Sequence, residues 1–334
     1  MRFGPVPLEQ APGAVLAHSL TLPQGRIAKG RVLTGDDIAR LRAAGIAEVI
    51  VAQLDPGDVA EDAAALALAQ ALVPDLPAQG LRLSGAGAGR VNLIADGPGL
   101  LRVDTTAVNA LNAVDPMITL ATLPPLRRVV QGAMVATVKI ISYAVPRDAL
   151  KNACTSARAA LSLIAPVLET VTLIETRVGD ALPPDKGRRA TAERVARLGA
   201  RLTPRTVVPH EETALADAIA AAGGQAILIL TASATSDVAD VAPAALRRAG
   251  GTVTRFGMPV DPGNLLFIGR AADARPVVGL PGCARSPALN GADWVLERVL
   301  CGLDVTGADI AAMGLGGLLK EMPTRPRPRR APGG

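Results

Sequence analysis

Residues 225–245 read QAILILTASATSDVADVAPAA. Residues 226–230 are a continuous apolar run of strand length, the signature of a strand covered on both faces. Thr231-Ala232-Ser233-Ala234-Thr235-Ser236 follows with no bulky side chain, so a ligand can approach its backbone. Asp240 then reads as a helix N-cap, and Pro243 fits the first turn, where a missing N–H costs nothing. In open α/β sheets the loop at the carboxyl end of a parallel strand is the usual ligand site, and the N–H groups of the next helix start favour anions. Both a ligand loop and a plain strand-to-helix connector satisfy this stretch alone.

Working outward, the rhythm from residue 169 is strand then helix, repeatedly. Strands are expected at 170–175, 205–208, 226–230, 252–256 and 277–280, with a loop and strand at 260–269. Helices are expected at 189–198, 213–222, 243–249 and 287–300. This alternation predicts a mostly parallel sheet with helices on both faces. Ser286 is expected to cap the last of these helices, with Pro287 at its first position.

The preceding half reads as mixed α+β. Strands are expected at 14–22, 26–33 and 47–54, with a helix from the Thr34 cap to Gly45 and another from an Asp58/Glu61 capping box through Leu72. Residues 73–80 (VPDLPAQG) read as a linker. Short strands follow over 81–103, a helix over 104–114, strands at 118–123 and 129–145, and a helix over 146–164. Gly85, Gly87 and Gly89 imitate a nucleotide loop but precede a strand rather than a helix, so they read as a turn. The expected organisation is an N-terminal α+β region (1–76), a β-rich subdomain (77–166), an α/β domain (167–303) and an extension (304–334) ending in a proline- and arginine-rich, disordered tail.

Composition bounds the function. The 334 residues are enough for two or three domains. The net charge is +5, but Arg325, Arg327, Arg329 and Arg330 crowd the last ten residues, leaving the body nearly neutral. With five aromatics and no basic face outside the tail, nucleic-acid binding is not expected. No apolar run reaches membrane-spanning length, and the N-terminus has no secretory core. Cys154, Cys283 and Cys301 are few, odd in number and scattered, which points to a reducing, cytoplasmic setting. Two histidines, His18 and His210, exclude a His-rich metal site. Asp240, Asp185 and Asp261 stand beside anion-favouring helix starts, a pattern that suits Mg²⁺ held between protein and phosphate. Cys283 sits in a glycine-containing loop near a helix start, where a thiol can be activated or simply packed.

Four segments carry a resemblance. Asp185-Lys186-Gly187, Val208-Pro209-His210, the run from Leu230 to Ala245, and Val278-Gly279-Leu280-Pro281-Gly282 together resemble the molybdopterin-binding domain of molybdenum-cofactor biosynthesis proteins, over about residues 169–302. That superfamily includes molybdopterin adenylyltransferases and molybdotransferases. Residues 29–51 (KGRVLTGDDIARLRAAGIAEVIV) also resemble molybdotransferase-related proteins, and the Leu280–Cys283 loop with Gly316-Gly317-Leu318 is similar to a bacterial molybdopterin-binding subgroup. The resemblance implies a three-layer α/β/α fold. It implies molybdopterin as ligand or substrate, at Thr231, Ser233, Thr235, Ser236, Gly263, Pro281, Gly282 and Ser286. Asp240 is implied as the catalytic acid and Mg²⁺ ligand, with Asp185 as its neighbour. The implied work is cofactor biosynthesis, maturation or delivery, either by transfer of molybdate or a nucleotide to molybdopterin or as a non-catalytic carrier, chaperone or sensor. A nucleotide-using enzyme with another substrate is a third reading. Implied partners are the molybdenum cofactor, a molybdoenzyme or its maturation factors, and further copies of the chain. The sequence departs from the family pattern where Ala232 and Ser233 replace loop glycines and His210 replaces an aspartate.

Overall fold

A computed structural model describes residues 1–319. The chain divides into two compact units, Met1–Ile164 and Ala165–Gly334. The arginine-rich tail read from the sequence lies outside the described residues.

The first unit opens with β1 (Arg2–Pro7), β2 (Val15–Leu16), β3 (Leu20–Leu22), β4 (Gly25–Ile27), α1 (Gly35–Ala43) and β5 (Glu48–Gln53). β5 pairs antiparallel with β1 on one side and β2 on the other. Thr34 caps α1 in a reciprocal box with Asp37, and Gly45, at φ +78°, releases the chain after it. Leu8, Leu16, Ile27, Leu41 and Val51 pack into one small core.

β6 (Asp58–Ala60), α2 (Glu61–Leu72), α3 (Leu76–Gln79), β7 (Leu81–Leu83), β8 (Arg90–Ala95), β9 (Gly99–Val103) and α4 (Thr105–Asn112) follow. β10 (Ile118–Thr122), β11 (Arg128–Val129), β12 (Met134–Ile140), β13 (Ala144–Pro146), α5 (Arg147–Ser156) and β14 (Leu161–Ile164) complete the unit. The stripe Ala64, Ala65, Leu68, Ala69 and Leu72 of α2 is fully buried against the strands. Gly87 and Arg90 bridge, so the glycine run is the turn the sequence predicts.

Three expectations are corrected here. Asp58 does not cap α2. It joins the β6–β13 ladder, and its carboxylate accepts from Asp55 N at 2.8 Å and pairs with the N-terminal ammonium at 2.7 Å. Residues 73–80 are not an open linker: they hold α3, and Gln79 Nε2 donates to Leu161 O at 2.6 Å. The helix expected over 146–164 stops at Ser156. Ala159 turns left-handed at φ +58°, and Leu161–Ile164 pairs with β9 instead.

The second unit is β15 (Thr170–Arg177), α6 (Lys186–Ala196), β16 (Arg201–Leu202), β17 (Thr206–Pro209), α7 (Glu212–Ala221), β18 (Ala226–Leu230), α8 (Val241–Arg248), β19 (Thr252–Phe256), β20 (Phe267–Arg270), β21 (Pro276–Gly279), α9 (Gly291–Leu300) and α10 (Gly307–Ala312). One sheet runs β16-β15-β18-β21-β20-β19, with β17 also on β15. β15, β16, β17, β18 and β21 are parallel; β20 runs antiparallel between β21 and β19. The helices form layers on both faces, as strand alternation requires. Ile227 and Ile229 pack with Leu215, Ile219 and Leu246 of α7 and α8. Leu228 and Leu230 point the other way, where Gly187 of α6 meets Leu230 and α6 packs on α9. The α/β/α architecture expected from the sequence is the one observed. Among the described residues no helix is long and apolar enough to cross a membrane.

Candidate functional site

Because β15, β17, β18 and β21 are parallel, the loops that follow them leave the sheet at one edge. β19 runs the same way, two antiparallel steps further on, and adds its own loop there. A cavity of about 440 Å³ opens at this edge, at the ends of β15 and β18. Glu175, Thr176 and Arg177 of β15 line it, with Leu230 and Ala232 from β18 and its loop. Val178, Leu182, Pro183 and Pro184 supply an apolar wall, and Lys186, Gly187 and Arg285 complete it. Gly187 allows this close seating. A Cβ there would stand 2.7 Å from Leu230 Cδ2, so Leu230 would have to turn aside to admit a side chain.

The electrostatics favour an anion. Glu175 is buried, but Arg205 neutralises it in a fork, Nε to Oε2 at 2.8 Å and NH2 to Oε1 at 3.1 Å. The same guanidinium donates to Pro183 O at 2.7 Å and ties down the proline-rich wall. Among the described residues no carboxylate pairs with Lys186 or Arg285, so both cations face the cavity uncompensated by an acid. Arg285 donates to Thr231 O, joining the loop after β21 to the loop after β18.

The structure places the predicted residues in three groups. Thr231, Ser233, Thr235, Ser236 and Asp240 share the loop after β18. Thr231 Oγ1 donates to Ser233 O at 2.6 Å and lies 3.3 Å from Thr235 Oγ1. Asp240 is the N-cap the sequence predicts: its oxygens accept from Val241 N at 2.7 Å and Ser236 N at 3.0 Å. Asp185 lies before α6, beside the cavity, within 3.6 Å of Arg189 and 3.8 Å of Arg205. The third group follows β19 and β21. Pro281 and Gly282 lead a short 3-10 turn, Gly282–Arg285. Gly263, at φ +145°, faces the chain's own Gly291, whose N lies 2.9 Å from where a Cβ would be.

Ser286 is a correction. The helix it was expected to cap begins five residues later, at Gly291. Asn290 is the cap, in a reciprocal box with Asp293. Residues 286–288 bend instead of entering a helix, and Arg194 takes two of their carbonyls, Ser286 O at 2.6 Å and Ala288 O at 3.0 Å. Asp261 is occupied in backbone pairing with Gly317 and Leu319. Cys283 is exposed and its Sγ accepts from Asn290 Nδ2 at 3.0 Å.

The donor set does not build a metal cage. Among the described residues no three His, Cys, Asp or Glu side chains gather to hold an ion, and both oxygens of Asp240 already serve backbone N–H groups.

Several residues of this edge escaped the sequence reading. Arg205 and Glu175 are thirty residues apart, and Arg194 and Arg285 reach the loops from helices or turns with no local signature. Thr176, at the end of β15, joins His210 and Ser233 in a hydrogen-bonded chain that the sequence did not show: Thr176 Oγ1 to His210 Nδ1 at 3.0 Å, then His210 Nε2 to Ser233 Oγ at 3.1 Å. Lys186 and Gly187 stood in a quoted motif, but nothing local showed that they face a cavity.

Comparison with known proteins accords with this geometry. Residues 171–300 match the family described as a probable molybdopterin binding domain. Residues 5–53 match a domain of unknown function, DUF8806. No curated protein matches the sequence. Among solved structures, a molybdopterin biosynthesis MoeA protein from Pyrococcus horikoshii is 17% identical with a TM-score of 0.31; the alignment covers 90% of this chain and 75% of that one. A molybdenum cofactor biosynthesis protein from Pyrococcus furiosus is 14% identical with a TM-score of 0.24, covering 91% of this chain and 66% of that one. Overall superposition is therefore loose, and the assignment rests on the family match together with the observed sheet and its loop edge. The second unit of this chain carries, over residues 171–300, a domain of the molybdopterin-binding superfamily.

Proposed function

We propose that the second unit binds molybdopterin at the carboxyl edge of its sheet and serves molybdenum-cofactor biosynthesis or delivery in the cytoplasm. The observation that carries this reading is the cavity of about 440 Å³ flanked by Lys186 and Arg285. Its apolar wall suits a flat heterocycle, and its two cations suit a phosphate. The phosphate lies toward the Thr231–Ser236 loop and the pterin toward Leu182, Pro183 and Pro184. Delivery to a molybdoenzyme or its maturation factors, and assembly as a homo-oligomer, belong to the same proposal.

The test is a fluorescence titration of molybdopterin into wild type, Lys186→Ala and Ala232→Trp. Saturable binding that weakens in the first variant and disappears in the second supports the site. Equal binding by all three places the ligand elsewhere and removes this reading.

Carriage and transfer are separable. Transfer of molybdate or a nucleotide to molybdopterin, with Mg²⁺, would draw on Asp240. A magnesium ion there would rest on one carboxylate and on ligand oxygens, the common arrangement for this ion. The use of both Asp240 oxygens on backbone N–H groups favours carriage. Nucleotide hydrolysis in the presence of molybdopterin and molybdate, lost in Asp240→Asn, would assign transfer instead.

A further inference from the structure

We infer that His210 is a positioning residue: it holds the Ser233 hydroxyl so that its proton is offered outward, to an anionic acceptor on the ligand. The identity of the ligand rests on the binding reading above; the hydrogen-bond polarity does not.

The polarity follows from one backbone group. Ala232 N donates to Thr176 Oγ1 at 2.7 Å, and an N–H can only donate. Thr176 is 1% exposed, and the other partner of its hydroxyl among the described residues is His210 Nδ1 at 3.0 Å. A buried hydroxyl that leaves its own proton unplaced pays a desolvation cost of about 1–3 kcal/mol. The Thr176 proton therefore goes to Nδ1. A neutral imidazole that accepts at Nδ1 carries its proton at Nε2. Nε2 stands 3.1 Å from Ser233 Oγ, so His210 donates to Ser233. Ser233 is exposed. With an oxygen lone pair filled by His210, its O–H is left to donate outward, and the incoming bond polarises it.

Such a hydroxyl offers its proton to a partner with a free lone pair. Phosphate oxygens can accept it; an ammonium group cannot. Thr176 and Ala232 also line the cavity that Lys186 and Arg285 flank, and Ser233 is the next residue along the loop. Two departures from the family pattern thereby become one unit. The loop N–H of Ala232 is spent on Thr176, and the Ser233 hydroxyl, held by the histidine that replaces an aspartate, donates in its place.

The chain has two histidines, so the imidazole nitrogen-15 NMR spectrum of the full protein contains two rings, and His210→Gln assigns them. The expected result is an Nε2–H tautomer for His210 in the free protein, relaxing toward a mixture in Thr176→Val. An Nδ1–H tautomer in wild type overturns the inference. In molybdopterin titrations, Ser233→Ala and His210→Ala should each weaken binding about tenfold, the scale of a hydrogen bond to a charged group, and the double variant should be no worse than either. His210→Gln keeps an N–H donor near Nε2 and should retain most of the affinity. Additive losses, or unchanged affinity in Ser233→Ala, overturn it. A wild type that binds no molybdopterin removes the ligand reading alone. Inorganic phosphate, followed by the His210 shifts, then decides: a saturable shift lost in Ser233→Ala supports the inference, and no shift in wild type overturns it.

Discussion

Arg194 Nε donates to Asp293 Oδ1 at 3.0 Å, and both side chains are 2% exposed. The same guanidinium reaches Ala284 O at 2.6 Å, Ser286 O at 2.6 Å and Ala288 O at 3.0 Å. Asp293 in turn accepts from Asn290 N at 2.8 Å and so closes the capping box of α9. One buried ion pair thus fixes the whole loop after β21 and the start of the helix beyond it. A point-like ammonium cannot serve these acceptors together, so Arg194→Lys is not conservative here. Arg194→Ala leaves a buried carboxylate with only the half-exposed Arg197 at 3.2 Å. The expected loss is about 3–5 kcal/mol, or on the order of 10 °C in the melting temperature of a unit this size. Urea melts, together with limited proteolysis of residues 282–290, check it. Stability within about 0.5 kcal/mol of wild type, the range of an ordinary surface substitution, would sink the clamp.

Gly279 and Phe267 face each other across β21 and β20. Phe267 is buried, and a Cβ on Gly279 would fall inside its ring. Gly279→Ala is therefore an overpacking change, expected to cost about 3 kcal/mol. Shrinking the ring makes room, so Phe267→Leu in the same chain should recover part of that loss, although Phe267→Leu alone destabilises. Such non-additivity is the mark of direct contact. Thermal melts of the two single variants and the double test it, and simple additivity would count against the contact.

The sequence exposes what is encoded within one turn or one strand. Residues 226–230 are fully buried β18, Asp240 caps α8, and Thr34 caps α1, because each signal is local. It conceals what is decided at a distance. Ser286-Pro287 has the composition of a helix start, yet Arg194, about ninety residues earlier, takes the Ser286 and Ala288 carbonyls and the segment bends instead. Residues 157–164 follow a helix with no glycine or proline stop before Pro166, but pairing of Leu161–Ile164 with β9 outweighs the helix propensity of the alanines. At the site, the strand, the small-residue loop and the Asp240 cap are legible in the sequence, whereas the cavity is not. Its wall, its two cations and the Thr176–His210–Ser233 chain come from separate strand ends, loops and a helix start that the parallel sheet brings to one edge.

Asp240 offers a clean separation of structure from chemistry. Its carboxylate spans Ser236 N and Val241 N, so it holds the loop closed on the helix start. Asp240→Ala should cost about 1 kcal/mol, as for other lost caps, and should weaken molybdopterin binding by loosening residues 231–236. Asn also caps helices but has one acceptor oxygen for the two N–H groups, so Asp240→Asn should keep α8 and lose one of the two bonds, weakening affinity less than Asp240→Ala does. Calorimetry with a ligand titration on both variants checks this. A loss of affinity in Asp240→Asn larger than in Asp240→Ala, with unchanged melting, would count against this loop-closing role.

Unit 1 carries two acids whose pH effects have opposite sign. The Arg31 guanidinium, 2.7 Å from Asp37 Oδ2, holds that buried carboxyl below its ordinary value, and the Thr34 N–H and hydroxyl add to the effect. A depressed folded-state pKa means the unfolded chain takes up the proton first. The stabilisation is therefore present above the ordinary aspartate value and lost as pH falls through the lower one. Burial raises Glu61, with Lys139, 3.8 Å away, opposing it. Here the folded state resists ionisation, so stability declines as pH rises from the ordinary glutamate value through the raised one. Asp37→Asn should flatten the acid limb of the unit's stability profile and lower the plateau, because Arg31 loses its partner. Glu61→Gln should flatten the decline above the ordinary glutamate value and leave the acid limb in place. Urea midpoints from strongly acid to neutral pH distinguish the two. An acid limb that survives Asp37→Asn unchanged would assign the acid sensitivity to another carboxylate.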